Sequence, residues 1–294
     1  MSCAVGVMAH NEESNVIPAL RSILAQAGAH VESMGVVVVA SGCTDATVAR
    51  ARSVASDDAR VKVLEQPRRE GKASAVNLFL AEERGRSVLV LAGADTRLEP
   101  GSLEALVAPF DDPTVGMTGG RPMPVNAETT LLGRVVHLQW DLHDAVARRE
   151  PKLGELIAFR PPREPLDPTT AVDEAFLESA FLKAGLRRVY VPEARVAMKG
   201  PTSLGDFLTQ RRRIHAGHLR LRRQTGHAVA TLGAGRALRE ALQLRREGRT
   251  TWTTLIATGC LEALARTMGA WDAGLGNRDH HAWTPIRSTK DLTP

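Results

Sequence analysis

The run MGVVVVASG, residues 34–42, constrains the fold more than any other stretch. Four consecutive valines leave no polar face at a period of two. A strand formed here has to be covered on both sides, as in a parallel sheet held between helical layers. The flanking sequence supplies the layers. CAVGVMA (3–9) is a short apolar run ending at a polar turn, and residues 14–26 carry Val16, Ile17, Leu20, Ile23 and Leu24 at helical spacing, with Ser14 or Asn15 placed to cap. TDATVARARSVASD (44–57) reads as a helix with Thr44 or Asp45 at its start, VKVLEQ (61–66) as a strand, GKASAVNLFLAEE (71–83) as a helix and SVLVLAG (87–93) as a fourth strand. This alternation predicts an open, doubly wound α/β sheet with ligands at the carboxyl ends of its strands. The polar segments HNEE (10–13), SGCTD (41–45), REGK (69–72) and GADT (93–96) all fall at or near such ends.

With 294 residues, 43% of them hydrophobic, the chain can bury one large α/β core with appended helices. No apolar run reaches the roughly 18–20 residues of a membrane span. The nearest approach, TTWTTLIATGCLEAL (250–264), is broken by Thr, Gly and Glu262. The N-terminus lacks the basic-then-apolar order of a signal peptide, and Cys3, Cys43 and Cys260 are too scattered for a disulfide framework or a zinc knuckle. A reducing cytoplasm is the expected compartment. The net charge of +5 is concentrated late: residues 204–250 hold eleven Arg against Asp206, Glu240 and Glu247. That points to an anionic partner, either substrate phosphates or an anionic membrane face touched peripherally. Nucleic acid is disfavoured, because only 4% of residues are Phe, Trp or Tyr and stacking platforms are scarce.

Taken in order, NEE (11–13), SGCTDAT (41–47), REGKASAVN (69–77), GADT (93–96), VDEAFL (172–177) followed by AGLRRVYVPEA (184–194), and QRRRI (210–214) resemble the family 2 glycosyltransferases of the GT-A fold. The resemblance covers roughly residues 4–225. It implies a Rossmann-like mixed, mostly parallel sheet flanked by helices, with a nucleotide-binding half (1–125), an acceptor half (126–225) and a C-terminal helical extension and tail (226–294). It implies that Ala9, Asn11 and Glu12, with Ser41 and Asp45, contact the nucleoside, and that Gly71 and Lys72 approach the donor. Asp95 takes the second position of a DXD motif and would carry a divalent metal, Mg or Mn. Glu174 becomes the base, Asp173 its supporting neighbour, and Gln210 and Arg213 lie near the diphosphate or acceptor. The implied reaction is inverting, non-processive transfer from a nucleotide sugar to a small-molecule or lipid-linked hydroxyl acceptor.

The residues bear other readings beside these. Asp45 is a good helix cap, Glu12 suits a helix N-terminus, Lys72 suits an exposed surface and Asp95 suits a turn. The family's first DXD acid is Gly93 here, its base-reading acids are Ala40 and Ser41, and the Trp of its QxxRW is Ile214. A GT-A-like nucleotide-binding protein without transfer activity, or a nucleotidyltransferase, therefore stands beside the transferase. His137 with Asp141, and His280 with His281, are further pairs of metal-ligand type, each short of a third ligand. In residues 204–223, Gln210 and Arg213 are expected at the donor cleft, with lipid docking left open for Arg220, Arg222 and Arg223.

Overall fold

Residues 2–31, 33–227, 234–274 and 289 are described in the computed structural model of the chain. The first half runs β1 (Cys3–Ala9), α1 (Val16–Leu24), β2 (Gly35–Ser41), α2 (Thr47–Asp57), β3 (Val61–Gln66), α3 (Lys72–Glu82), β4 (Val88–Gly93), β5 (Thr96–Leu98) and α4 (Ser102–Val107). It continues through β6 (Val115–Pro124), α5 (Leu131–Ala147), β7 (Ile157–Phe159), α6 (Asp173–Lys183), β8 (Arg187–Met198), α7 (Leu204–Thr225), α8 (Ala234–Arg246) and α9 (Trp252–Gly274).

The valine run is buried on both faces because alternate residues enter different cores. Val5, Val7, Val36, Val38 and Val90 pack with Val16, Leu20 and Ile23 of α1 and with Leu103 and Leu106 of α4. Ala4, Val37, Val39, Leu89 and Leu91 pack instead with Val76 and Phe79 of α3 and with Leu177 and Phe181 of α6. Each such valine or leucine contributes about 1.5–3 kcal/mol by leaving water.

The strands form one eight-stranded sheet in the order β3-β2-β1-β4-β7-β6-β8-β5. Strands β1 to β4 are mutually parallel, β7 is antiparallel to both β4 and β6, β6 is parallel to β8, and β5 is antiparallel to β8. From β1 the chain moves outward to β2 and β3, then returns to add β4 on the other side of β1. The carboxyl ends of β1 and β4 consequently border a crevice at the point where the winding reverses, the usual ligand position in such sheets.

Helix starts differ in part from expectation. Asn15 has helical dihedrals and makes no side-chain cap; its carboxamide instead donates to Glu12 Oε2 at 3.0 Å. Thr130 and Ser203 do cap α5 and α7, accepting from the backbone N–H of Gly133 and Asp206.

The basic segment is partly neutralised inside the fold. In α7, Arg211 donates to Glu262 at 2.6 Å and Arg212 pairs with Asp272 at 2.5 Å, while Arg223 reaches the Ala273 carbonyl at 2.6 Å. All three partners lie on α9. The two helices cross closely at Gly269, where a Cβ would stand 2.6 Å from the Arg212 carbonyl oxygen. Helix α9 is accordingly turned inside out: its charged residues face the body of the protein, whereas Trp252, Ile256, Leu264 and Trp271 are exposed along its outer side. Among the described residues no helix is long and apolar enough to cross a membrane.

Helix α3 sits close to the sheet because Gly6 has no side chain; a Cβ there would lie 2.7 Å from Cδ1 of the fully buried Phe79. The variant Gly6→Ala is expected to lose about 1–3 kcal/mol by overpacking, measured by urea denaturation. An unchanged midpoint would show that α3 moves aside freely.

Candidate active site

Two loops laced together form the first wall of the crevice. After β1, Asn11 adopts a positive φ of 53° and its Oδ1 accepts the Thr44 N–H at 2.8 Å. Asp45 Oδ2 accepts from the Glu13 N–H at 3.2 Å, Asp45 Oδ1 accepts from the Thr47 N–H at 3.0 Å, and the Glu12 N–H donates to Thr47 Oγ1 at 2.7 Å. Asn11 and Asp45 are thus employed in joining the loops after β1 and β2, and neither lines the cavity behind them. Burial opposes ionisation of Asp45, but the hydroxyl and N–H of Thr47 hold its carboxyl below the usual range.

That cavity, of about 430 Å³, is lined by Ala9, Glu12, Ser41, Gly71, Lys72, Asp95, Asp173, Glu174, Gln210 and Arg213 among others. Ten of the twelve residues singled out by sequence are therefore brought together. Ser41 donates to Gln66 Oε1 at 2.7 Å, so its hydroxyl also fixes the edge of the β2 turn. The pair His137 and Asp141 forms no metal site: His137 Nε2 bonds the Asn126 carbonyl at 2.8 Å, and Asp141 binds Arg249 at 2.7 Å. His280 and His281 lie outside the described residues.

The centre of the cavity is an ion cluster. Gly71, at φ 95°, turns the chain so that Lys72 opens α3. Lys72 Nζ lies 2.6 Å from Glu174 Oε1 and 2.9 Å from Asp173 Oδ2, at the start of α6. The lysine expected beside a phosphate is thus anchored by two carboxylates. Burial opposes its charge, but Asp173 and Glu174 outweigh burial and raise its pKa. The acids move apart. Burial and the Glu174 charge push Asp173 up, whereas the Lys72 ammonium pulls Glu174 down against its own burial. Asp173 is nearly sealed, with 6% of its side chain exposed, while Glu174 keeps 24% open toward the cavity.

Several lining residues were not anticipated. Arg69 stands near enough to the expected Arg213 to disfavour its charge; burial lowers both, Arg213 to about 10. Lys152 is pushed down to about 8 by burial and by Arg211. Glu155, before β7, is pushed up to about 7 by burial and by the charges of Asp95 and Glu174, and its backbone has φ 60°. A half-buried non-glycine in this conformation is the kind of strain found at functional sites. Its sequence, KLGEL, carries no such sign. The far wall is largely apolar: Val136, Trp140 and Val146 of α5 with Leu153, joined by His143 and His218.

The family can now be tested against this geometry. A model described as glycosyl transferase family 2 matches residues 4–164. The chain belongs to that family. An N-acetylglucosaminyltransferase of Mesorhizobium japonicum is 27% identical over 176 residues, which are 53% of this family 2 chain and 41% of the relative. The chain thus spans well under half the length of that relative. Among solved structures, the mannosyltransferase PcManGT from Pyrobaculum calidifontis, in complex with GDP-Man and Mn2+, superposes with a TM-score of 0.66 at 21% identity over 94% of this chain and 88% of its own. S. aureus TarS in complex with UDP-GlcNAc gives a TM-score of 0.51 at 19% identity, covering 74% of this chain and 67% of that one. The architecture is that of the GT-A glycosyltransferases, a mixed, mostly parallel sheet between helices with helices added at the C-terminal end.

Among the described residues no three His, Cys, Asp or Glu side chains are placed to hold a metal ion by themselves. Asp95, at the end of β4 and on the cavity wall, fits a divalent cation that takes its remaining ligands from phosphate oxygens and water, as magnesium does.

The buried histidines set an acid limit. His143 lies edge-on to Trp140 and Tyr190, with ring centroids 5.3 and 6.0 Å away, and burial holds it neutral. His218 is lowered to about 3 by burial, Lys152 and Arg211. An unfolded histidine titrates near 6.5, so below that pH the unfolded chain binds more protons. Stability is therefore complete above about pH 6.5 and falls as the pH drops toward 3, by up to ~1.4 kcal/mol per pH unit for each histidine. Replacing His218→Leu is expected to reduce the loss of Tm between neutral and acidic pH. An unchanged slope would remove His218 from the explanation.

Proposed function

We propose that the chain is an inverting glycosyltransferase that moves a sugar from a nucleoside diphosphate sugar to a hydroxyl acceptor. The observation that carries this reading is the Lys72–Asp173–Glu174 cluster, set in one cavity with Asp95 and Arg213 at the reversal of the sheet. The acceptor hydroxyl attacks the anomeric carbon from the side of α6. As its oxygen bonds to carbon, the bond from carbon to the diphosphate oxygen breaks and the hydroxyl proton passes to Glu174. Glu174 suits this role better than Asp173, because its carboxylate is open to the cavity and held ionised by Lys72. Asp173 shares the ammonium and fixes its position. Arg213 and Arg69 balance the negative charge that grows on the leaving diphosphate, in a buried setting where fixed charges act strongly. A divalent cation bound by Asp95 and the diphosphate would supply further charge neutralisation.

In this reading Ala9, Glu12 and Ser41, which line the cavity at the ends of β1 and β2, take the nucleoside, and Gln210 and Arg213 of α7 take the diphosphate or acceptor. The apolar wall of Val136, Trp140, Val146 and Leu153 offers the acceptor a surface with few hydrogen-bond demands. Residues 1–225 form the catalytic unit in this reading and 226–294 an extension, whose helices α8 and α9 are braced on α5 and α7.

UDP or GDP at about 100 times its dissociation constant is expected to stabilise the chain by ~2.7 kcal/mol, read as a rise in Tm. Failure of both nucleotides to raise Tm, with and without divalent metal, would sink the reading. The variant Glu174→Gln is expected to lower transfer from a UDP- or GDP-sugar by ~10²-fold or more while nucleotide binding stays unchanged. Retained turnover would move the base elsewhere.

A further inference from the structure

We infer that Glu155 supplies the second protein carboxylate to a divalent cation at Asp95, so that the cation bridges the ends of two neighbouring strands. The inference rests on the nucleotide-sugar reading above and goes further, assigning a ligand from a different segment of the chain.

Register comes first. Strands β4 and β7 are antiparallel, with Leu89 opposite Phe159, Val90 opposite Ala158 and Leu91 opposite Ile157. The ladder ends there, and two residues before Ile157 the chain turns at Glu155, where the Leu156 N–H donates to the Gly154 carbonyl at 2.7 Å, so Glu155 stands in the turn that enters β7, beside the strand that leads to Asp95. Strand β4 carries no carboxylate of its own at Gly93. A side chain there would also crowd Asp95, whose Oδ1 lies 2.5 Å from where the Cβ would be. The turn entering the adjacent strand therefore brings an acid to the cavity that Gly93 and Asp95 also line.

The second observation is the state of Glu155 itself. It lines the cavity and, among the described residues, makes no hydrogen bond or ion pair, although it lies deep enough for burial to work strongly against its charge. Lys72 and Lys152 act on it only from a distance, while Asp95 and Glu174 repel it. A carboxylate held in this way lacks a cation within contact. Its backbone is left-handed at φ 60°, although Gly154 beside it would take that conformation at no steric cost. Two carboxylates together with diphosphate oxygens and water make an all-oxygen set suited to Mg or Mn.

The test titrates Mn2+ into the full-length chain in the presence of UDP or GDP and follows the loss of the free-ion signal by electron paramagnetic resonance. Glu155→Gln is expected to weaken Mn2+ binding by ~10-fold or more, and Asp95→Asn likewise, while metal-free nucleotide affinity is kept. Glu155→Gly guards against a folding artefact, because glycine accepts the left-handed backbone. It should hold or raise Tm and still lose Mn2+ affinity. Unchanged Mn2+ affinity in Glu155→Gln and Glu155→Gly overturns the inference and leaves Glu155 to a sugar hydroxyl. Nucleotide binding without any Mn2+ binding in the wild type overturns it too, yet leaves the proposed function standing; absence of nucleotide binding counts against that function instead.

Discussion

One ammonium holds the site together. Lys72 and Glu174 are 102 residues apart in sequence, and their contact joins the start of α3 to the start of α6. Lys72 and Glu174 keep 38% and 24% of their side chains exposed while Asp173 is sealed, so loss of the ammonium would leave Asp173 as the least compensated charge of the three. The cluster in turn depends on apolar packing. Gly6 lets Phe79 settle on β1, which fixes α3, and the left-handed turn at Gly71 then aims Lys72 at α6. A missing side chain in a strand thereby sets where the carboxylates paired with Lys72 can stand.

Charge is unevenly distributed around the cavity. Arg69, Lys72, Asp95, Glu174 and Arg213 gather on the side of the strand ends, while α5 presents Val136, Trp140 and Val146 on the other. Burial makes the mutual effects of these charges large: Arg213 is lowered by burial while Asp173 and Glu174 sit close enough to work in the opposite sense. Histidines on the apolar side stay neutral for the same reason. A charged side and an apolar side share one cavity because the starts of α3 and α6, α7 and the loop after β4 supply the first and a face of α5 the second.

The central sheet was legible because its signal is local. A run such as VVVV has few alternatives to a strand covered twice, and the helices between such runs show their own period. Most of the site was legible too, since turns at strand ends must carry the ligand-binding groups of a doubly wound sheet. What stayed hidden was long-range. Nothing near Lys72 announces that its partners follow α5 and β7. Glu155 precedes a three-residue strand, and only the antiparallel pairing with β4 gives its position meaning. The basic stretch around α7 was weighed against nearby acids, whereas Glu262 and Asp272, which neutralise Arg211 and Arg212, come only in α9. Asn11 and Asp45 have the right residue type in the right loops, but their side chains are consumed in tying those loops together.

The inverted orientation of α9 makes ionic strength act on it from two directions. Its inward hold relies on Arg211–Glu262 and Arg212–Asp272, attractions that added salt screens to the extent that solvent reaches them. Its outer side presents Trp252, Ile256, Leu264 and Trp271, and salting-out ions make such surface less comfortable in water. Concentrated sulfate therefore screens the more open Arg211–Glu262 pair and at the same time increases the outer side's tendency to seek cover, whereas dilute buffer favours a well-dispersed state. For this molecule, salt is a structural variable before it is a matter of solubility.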